Sequence, residues 1–304
     1  MDESSSDTVP DGPSRADVGA VSGRLDVASV SQFHADGYLL VRSFLDEEET
    51  RLLVQSAHAD NRLADKAIHD HNDAQGHPVK LTGWNHPGQD IYGAISRCER
   101  VVDAVERLLA DEVYHYHSKM ILKEPREGGA WEWHQDYGYW YYNGCLFPQM
   151  MSVAIAVDAA TRANGCMQVL RGSNQLGRID HGKYDGRIGA DPERTAEALK
   201  RLELVYCEMD PGDALLFHAN TLHRSAANTT DTPRWSLICC YNGRRNDPFK
   251  DSVHPRYTPI KKLPDSAIRE MRVKGSDPHQ AFVESEGEGG GALDHLDAAE
   301  DGEG

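Results

Sequence analysis

Four residues in two short segments of the chain have the types and spacing of a metal site beside an anion clamp. His134 and Asp136 form an H-x-D pair, and His223 lies in a distant segment with Arg234 eleven positions after it. Two imidazoles and one carboxylate on one face of a metal leave other positions open, as in non-haem iron(II) oxygenase sites. The planar guanidinium of Arg234 would suit the distal carboxylate of a co-substrate such as 2-oxoglutarate.

The spacing of these residues predicts that strands bring them together. We expect a strand over residues 131–136, in which side chains two positions apart point to the same face, so that His134 and Asp136 can reach one ion. His223 follows a strand-like run at 213–217, which a Pro-Gly turn signal precedes. A second strand lying beside the first would therefore supply the third ligand.

Several further motifs resemble those of one oxygenase family. They are F-x-x-x-G-Y at residues 33–38, Y-H-S-K at 116–119, N-G-C-M-Q-V-L-R-G-S-N at 164–174 and P-G-D at 211–213. Together with the H-x-D…H-x-S…R set they make the chain similar to the phytanoyl-CoA dioxygenase family of Fe(II)/2-oxoglutarate oxygenases, in the branch that includes ectoine hydroxylase. The resemblance covers about residues 31–245, and Asn174 stands where the family usually has His.

This resemblance implies a role for each matching residue. His134, Asp136 and His223 would bind Fe(II), and Arg234 would pair with the distal carboxylate of 2-oxoglutarate with help from Ser225. His117 matches more loosely a position that contacts the co-substrate. With O2 as second co-substrate, the implied reaction hydroxylates an unactivated C–H bond and releases succinate and CO2.

The residue Asp136 bears on the type of oxidation. Halogenating members of the family replace this carboxylate with a small residue, whereas this chain keeps it. The retained carboxylate therefore favours hydroxylation or a related oxidation over halogenation.

An aromatic segment follows the H-x-D pair directly. Five of the six residues from Tyr137 to Tyr142 are aromatic, and Trp140 and Tyr139 are the candidates for shaping a substrate site, although some of these rings are expected to pack in the core. Trp133, next to His134, is expected to point away from the metal. The loops carry neither a long apolar stretch for an acyl chain nor a basic cluster for a CoA diphosphate, which favours a small polar metabolite as substrate.

Three other interpretations remain open from the sequence. The same iron site could perform desaturation, epimerisation or ring formation. A non-oxidative metal-binding jelly roll is a second alternative, although it would not need the dicarboxylate clamp of Arg234 and Ser225. A structural protein whose tails recruit partners is the third.

The charge of the chain is concentrated at its ends. The formal net charge is −17, but residues 275–304 carry nine acidic residues with no Lys or Arg, and residues 1–30 carry six acidic residues with two Arg. This distribution argues against nucleic-acid binding. No apolar stretch is long enough to span a membrane, and six cysteines without C-x-x-C spacing suit a reduced protein. We expect a cytoplasmic monomer or homodimer that binds a small molecule.

The pattern along the chain predicts one mainly β domain with flanking helices, a double-stranded β-helix of the jelly-roll, cupin-like type. The domain is expected at residues 30–274, between a disordered leader at 1–29 and an acidic disordered tail at 275–304. The predicted strands are 38–42, 113–123, 131–136, 150–158, 165–170, 203–208, 213–217 and 234–242. The predicted helices are 31–36, 46–64, 96–109, 191–201 and 264–273, with a long loop at 65–93.

Overall fold

The structure, a computed structural model, describes residues 17–18, 25–184, 187–273 and 275–283. The strands are β1 Asp17–Val18, β2 Tyr38–Val41, β3 Ile68–Asn72, β4 Pro78–Trp84, β5 Val113–Lys123, β6 Trp131–His134, β7 Met150–Ala156, β8 Met167–Leu170, β9 His181–Tyr184, β10 Arg187–Ala190, β11 Leu204–Cys207, β12 Ala214–His218, β13 His223–Ser225 and β14 Arg234–Gly243. The helices are α1 Val27–Asp36, α2 Glu47–Ala59, α3 Asn61–Asp65, α4 Ile91–Arg97, α5 Glu99–Leu109, α6 Asp136–Trp140, α7 Pro192–Leu199 and α8 Ala267–Glu270.

Two sheets face each other across the inner core. The larger has eight strands in the order β1-β2-β12-β7-β14-β5-β4-β3, and the smaller has four in the order β11-β8-β13-β6. Apart from the parallel β1–β2 pair, the pairs within these sheets are antiparallel. Ile121 and Ile238 of the large sheet share one apolar cluster with Met167 and Val169 of the small sheet. This arrangement is the predicted jelly roll.

The alternation of side chains along β5 shows how the large sheet separates two cores. Met120 and Leu122 belong to the outer core, in which α1, α2, α4 and α5 cover the sheet, whereas Ile121 belongs to the inner core. Side chains of a strand alternate between its faces, and all 11 residues of β5 are buried, so both of its faces are covered. The helices thereby leave the inner face of the sheet to the site.

The prediction of a long loop at residues 65–93 is wrong. It contains β3 and β4, which extend the large sheet because β4 pairs with β5 from Leu81↔Ile121 to Trp84↔Ser118. β3 is an edge strand whose residues are mostly polar, so it lacks the alternation of apolar and polar residues by which strands are recognised. β4 is stabilised by pairing with β5, which is distant in sequence.

Several predicted boundaries also differ. The helix predicted at 46–64 is interrupted at Asp60, the one at 96–109 is preceded by α4, and the one at 264–273 is reduced to α8. The strand predicted at 131–136 ends at His134, because Asp136 begins α6. The antiparallel pair β9–β10 was not predicted.

The two ends of the chain contribute little to the described structure. Most of the predicted leader and tail lies outside the described residues, so their disorder stays a prediction. Helix α1 begins within the leader at Val27, and residues 275–283 pack on the domain, where Val283 N donates to Gly83 O at 2.8 Å. Within the described ranges, no helix has the length and apolar character needed to cross a membrane.

Candidate metal and co-substrate site

The two predicted histidine ligands lie opposite each other on neighbouring strands of the small sheet. β6 and β13 are antiparallel with His134 paired to His223, and their ring centroids are 4.1 Å apart. Asp136 Oδ1 lies 3.7 Å from His223 Nε2 and 4.0 Å from His134 Nε2. All three residues are buried, and one ligand atom from each falls within 4.8 Å of the others. The structure therefore brings together the three residues that the motif predicted.

The hydrogen bonds of both imidazoles fix which nitrogen faces the site. His134 Nδ1 is 2.7 Å from Glu132 O, and His223 Nδ1 is 2.9 Å from Thr221 O. A carbonyl oxygen only accepts, so each Nδ1 carries the proton and each Nε2 presents a lone pair. Backbone anchoring of this kind is how proteins orient histidine ligands of metals.

The carboxylate of Asp136 is also oriented by a neighbour. Ser152 Oγ, on β7 of the large sheet, donates to Asp136 Oδ2 at 2.8 Å. The other oxygen, Oδ1, is the one near both imidazole Nε2 atoms. Two neutral imidazoles and one carboxylate oxygen suit a divalent transition metal. No other such group of three or more His, Cys, Asp or Glu residues occurs in the part of the chain that the structure describes.

Gln135 explains why the chain leaves the strand between the two ligands. Its backbone N donates to His181 Nε2 at 2.9 Å, and its buried side chain donates to Gly177 O and Asn220 O at 2.8 and 2.7 Å. Its Oε1 accepts from Ile179 N at 2.7 Å. Asp136 thus faces the two imidazoles from the first residue of a short helix, and the strand alternation that predicted its direction is not the cause.

Arg234 lies at the start of β14 with little contact to polar atoms. The residue is 2% exposed, and its Nε and Nη2 atoms find no hydrogen-bond acceptor among the described residues. Burial lowers the pKa of Arg234 from its ordinary value to about 10. A buried guanidinium without an acceptor is costly, so this position has the character of a preformed anion site.

One cleft joins the three candidate ligands to Arg234 and has an empty volume of about 410 Å³. Predicted residue Ser225 lines it, as do seven residues that were not predicted for the site: Lys119, Ile121, Trp131, Met167, Phe217, Arg224 and Ile238. Lys119 and Ile121 lie two positions apart on β5, so strand alternation from the Y-H-S-K motif could have identified them. The other residues that line the cleft lie on strands distant in sequence, and no pattern in the sequence indicates that they meet there.

His117 does not line this cleft. The register shift between Cys240 and Tyr241 leaves Tyr116 as a bulge, but the pairing of β5 with β14 is regular from His117 to Lys123, so the bulge does not turn His117 relative to Lys119. The His117 ring is held instead by its neighbours: it stacks on His254 with centroids 4.8 Å apart. It also meets Trp140 edge to face at 5.7 Å.

The aromatic candidates also lie beside the cleft without lining it. Trp140 is 1% exposed and packs on Tyr116 and His117. Tyr139 packs between His134 and His181, with ring centroids 6.0 and 4.9 Å away. Trp133 belongs to a separate apolar cluster on the far side of the small sheet, as predicted.

Comparison with known proteins identifies the family. The sequence model of the phytanoyl-CoA dioxygenase (PhyH) family matches residues 33–236. The chain belongs to the phytanoyl-CoA dioxygenase family. The predictions of family, jelly-roll fold and dioxygenase class, with iron(II) and 2-oxoglutarate as cofactor and co-substrate, are confirmed.

The chain is also similar to enzymes named for small metabolites. The chain is 26% identical over 247 residues to L-proline trans-4-hydroxylase of Streptomyces griseoviridis, covering 75% of this chain and 89% of that protein. It is 26% identical over 239 residues to ectoine dioxygenase of Sphingopyxis alaskensis, covering 73% and 77%. The crystal structure of EctD from S. alaskensis with 2-oxoglutarate and 5-hydroxyectoine has the same fold, with a TM-score of 0.64, 23% identity and coverage of 83% and 88%.

Proposed function

We propose that this protein hydroxylates an unactivated C–H bond of a small polar metabolite, with Fe(II) held by His134, Asp136 and His223. Two observations on the chain support these ligands. The Nε2 lone pairs of both imidazoles and Asp136 Oδ1 converge, and the remaining polar atoms of all three side chains are anchored by Glu132 O, Thr221 O and Ser152. Bound iron and 2-oxoglutarate would supply the oxygen activation and the C–H oxidation.

Arg234 carries the 2-oxoglutarate part of the proposal. Its guanidinium is buried without an acceptor in the cleft that also contains the candidate ligands, and Ser225 lies beside it. A bidentate pair with the distal carboxylate would satisfy the orphaned N–H groups and orient the 2-oxo acid end towards the ligands. Lys119 of the same cleft adds a second basic side chain that favours an anion.

The apolar walls have a separate task. Ile121, Phe217 and Ile238 surround the cleft between its two polar ends. They exclude water from the space beside the candidate metal ligands. This would strengthen the ion pair between Arg234 and the distal carboxylate of 2-oxoglutarate, and it would limit side reactions.

The substrate is proposed from the aromatic side of the site. Trp140 and Tyr139 lie on the short helix that begins with Asp136, and His117 packs on Trp140, so this group would shape the substrate space from behind the residues that line the cleft. Two relatives are named for proline and ectoine, which supports a small polar substrate for this chain. Hydroxylation, desaturation, epimerisation and ring formation share the same ligands and differ in the product, which gains one oxygen, loses two hydrogens or keeps its mass.

Compartment and assembly belong to the same proposal. All six cysteines are buried and in the thiol form, which suits a reducing compartment, and we infer a cytoplasmic monomer or homodimer that binds neither nucleic acid nor membrane.

The test is an anaerobic optical titration of the protein with Fe(II) and then 2-oxoglutarate. We expect a weak visible charge-transfer band that requires both additions and is absent in His134→Ala. In Arg234→Met the band should need much more 2-oxoglutarate, whereas Arg126→Met, which changes an exposed arginine paired with Asp231, should behave as the unchanged protein. A screen of small metabolites by succinate release and product mass then identifies the substrate. Binding of Zn(II) without any such band would contradict the oxygenase site.

A further inference from the structure

A second buried basic residue accompanies Arg234. Lys123 is its direct partner across the β5–β14 pair, and both residues are 2% exposed. Like charges at directly opposed strand positions are unfavourable, and more so where water is excluded. The pair therefore raises the question of how Lys123 is accommodated.

The hydrogen bonds of Lys123 are those that an uncharged amine can make. Its Nζ donates to Gly129 O at 2.7 Å and to Ala226 O at 2.6 Å, and both acceptors are backbone carbonyls. An unprotonated amine has two N–H donors, whereas an ammonium has three. In the described part of the chain no carboxylate accepts from Nζ.

The groups around Lys123 also favour its uncharged form. Burial first, and then the Arg234 guanidinium, lower the pKa of Lys123 well below its usual value. Asp73 and the thiol of Cys166 oppose this effect. The Asp73 carboxylate is already committed, because it accepts from the backbone N–H groups of Gln75, His77 and Ala130. The two basic residues are thus without an anion at contact distance.

We propose that Lys123 takes up a proton when the distal carboxylate of 2-oxoglutarate binds Arg234, so that co-substrate binding and protonation are coupled. This inference rests on the proposed function. The arriving negative charge offsets Arg234 and favours the ammonium form of its neighbour. Lys123 also joins two segments next to the candidate ligands. Its Nζ bonds Gly129, which precedes β6, and Ala226, which follows β13, so it is linked to both strands that carry the two histidines.

The sign of the coupling follows from linkage. Between the lowered pKa of the empty site and the raised pKa of the occupied site, Lys123 is unprotonated when free and protonated when bound. In that interval the Kd for 2-oxoglutarate should rise roughly tenfold for each pH unit of increase, and close to one proton should enter the protein for each 2-oxoglutarate bound. Both carboxylates of the ligand are already ionised there.

The test is anaerobic calorimetric titration of the Fe(II)-loaded protein with 2-oxoglutarate in phosphate and in Tris, from about pH 6.5 to 9.5. The difference in heat between buffers of unequal ionisation enthalpy gives the number of protons taken up. We expect uptake in the unchanged protein and in Lys261→Met, which alters an exposed lysine. Uptake should vanish in Lys123→Met, which cannot be protonated, and in Lys123→Arg, which remains charged in both states and keeps donors for the two carbonyls.

The outcomes separate the inference from the function on which it rests. If 2-oxoglutarate binds and Arg234→Met weakens it, but no proton is taken up or both Lys123 variants keep the uptake, the coupling is refuted and the proposed function stands. If 2-oxoglutarate does not bind, or binds equally well to Arg234→Met, the proposed function fails and the inference with it. Uptake lost in Lys123→Arg, with 2-oxoglutarate still bound, supports the coupling even if Lys123→Met does not fold.

Discussion

Replacing Arg234 with methionine should change the stability of the protein and its affinity for 2-oxoglutarate in opposite directions. Burial lowers the pKa of Arg234 to about 10, so the guanidinium is still charged below that pH, and keeping it charged in the folded protein costs free energy of folding. One pKa unit corresponds to about 1.4 kcal/mol, which makes the cost on the order of 3 kcal/mol. Methionine is shorter and uncharged, so it removes this cost.

The expected magnitudes follow from the same contacts. Packing that is lost around the shorter methionine side chain offsets part of the free energy gained by removing the buried charge. We therefore expect a net stabilisation of about 1–2 kcal/mol, or roughly 2–6 °C in Tm. Charge-assisted hydrogen bonds contribute about 1.5–3 kcal/mol each, and a bidentate pair has two. The loss on binding should be about 4 kcal/mol, which weakens the Kd for 2-oxoglutarate by roughly three orders of magnitude.

The assay combines thermal unfolding of the metal-free protein with a titration of the Fe(II)-loaded protein under nitrogen. Arg126→Met serves as the control, because Arg126 pairs with Asp231 at the surface, where solvent screening leaves an ion pair with little effect on stability. A lower Tm for Arg234→Met together with unchanged affinity would refute the reasoning, because it would make Arg234 a structural residue.

Three further changes test the supports of the site. Ser152→Ala removes the hydrogen bond to Asp136 Oδ2 and should weaken Fe(II) or Mn(II) binding about 10–100-fold in a chelator competition, and unchanged affinity would contradict an orienting role. Gly165→Ala should cost roughly 2 kcal/mol or more in urea unfolding, because Gly165 has φ +80° and a Cβ there would lie 2.1 Å from Ala226 O; an unshifted midpoint would argue against this packing. Trp140→Phe should raise the KM for the identified substrate up to about tenfold and leave the Kd for 2-oxoglutarate unchanged, since its ring lies beside the cleft; equal effects on both would place it at the co-substrate instead.

The elements that were predicted correctly are those whose pattern is local. The strand predicted at 113–123 matches β5, in which Val113, Tyr114, Tyr116 and Ile121 are of the β-branched and aromatic types that favour strands. β3 and β4 were missed because the interactions that make them strands lie elsewhere in the chain, above all the pairing of β4 with β5. A sequence without an alignment carries no sign of such pairing when the strand at the edge is polar.

The site shows the same division between local and long-range information. His134, Asp136 and His223 were found from their types and spacing, and the structure brings them within reach of one ion. The direction of Asp136 was explained wrongly, because the turn after His134 depends on contacts of Gln135 with residues far along the chain. Lys119 was visible in a motif, but its position at the cleft required knowing which face of β5 looks inward.

The register of the small sheet has a consequence for its cohesion. β6 and β13 are short strands, of four and three residues, and their pairing shifts register between His223 and Ser225. An ion shared by His134 and His223 would join them at directly opposed positions and close a loop of roughly 90 residues, which removes many open conformations from the accessible ensemble. The metal would act on these two strands much as a disulfide acts on two loops, so that the frame of the site is completed by the same ion that performs its chemistry.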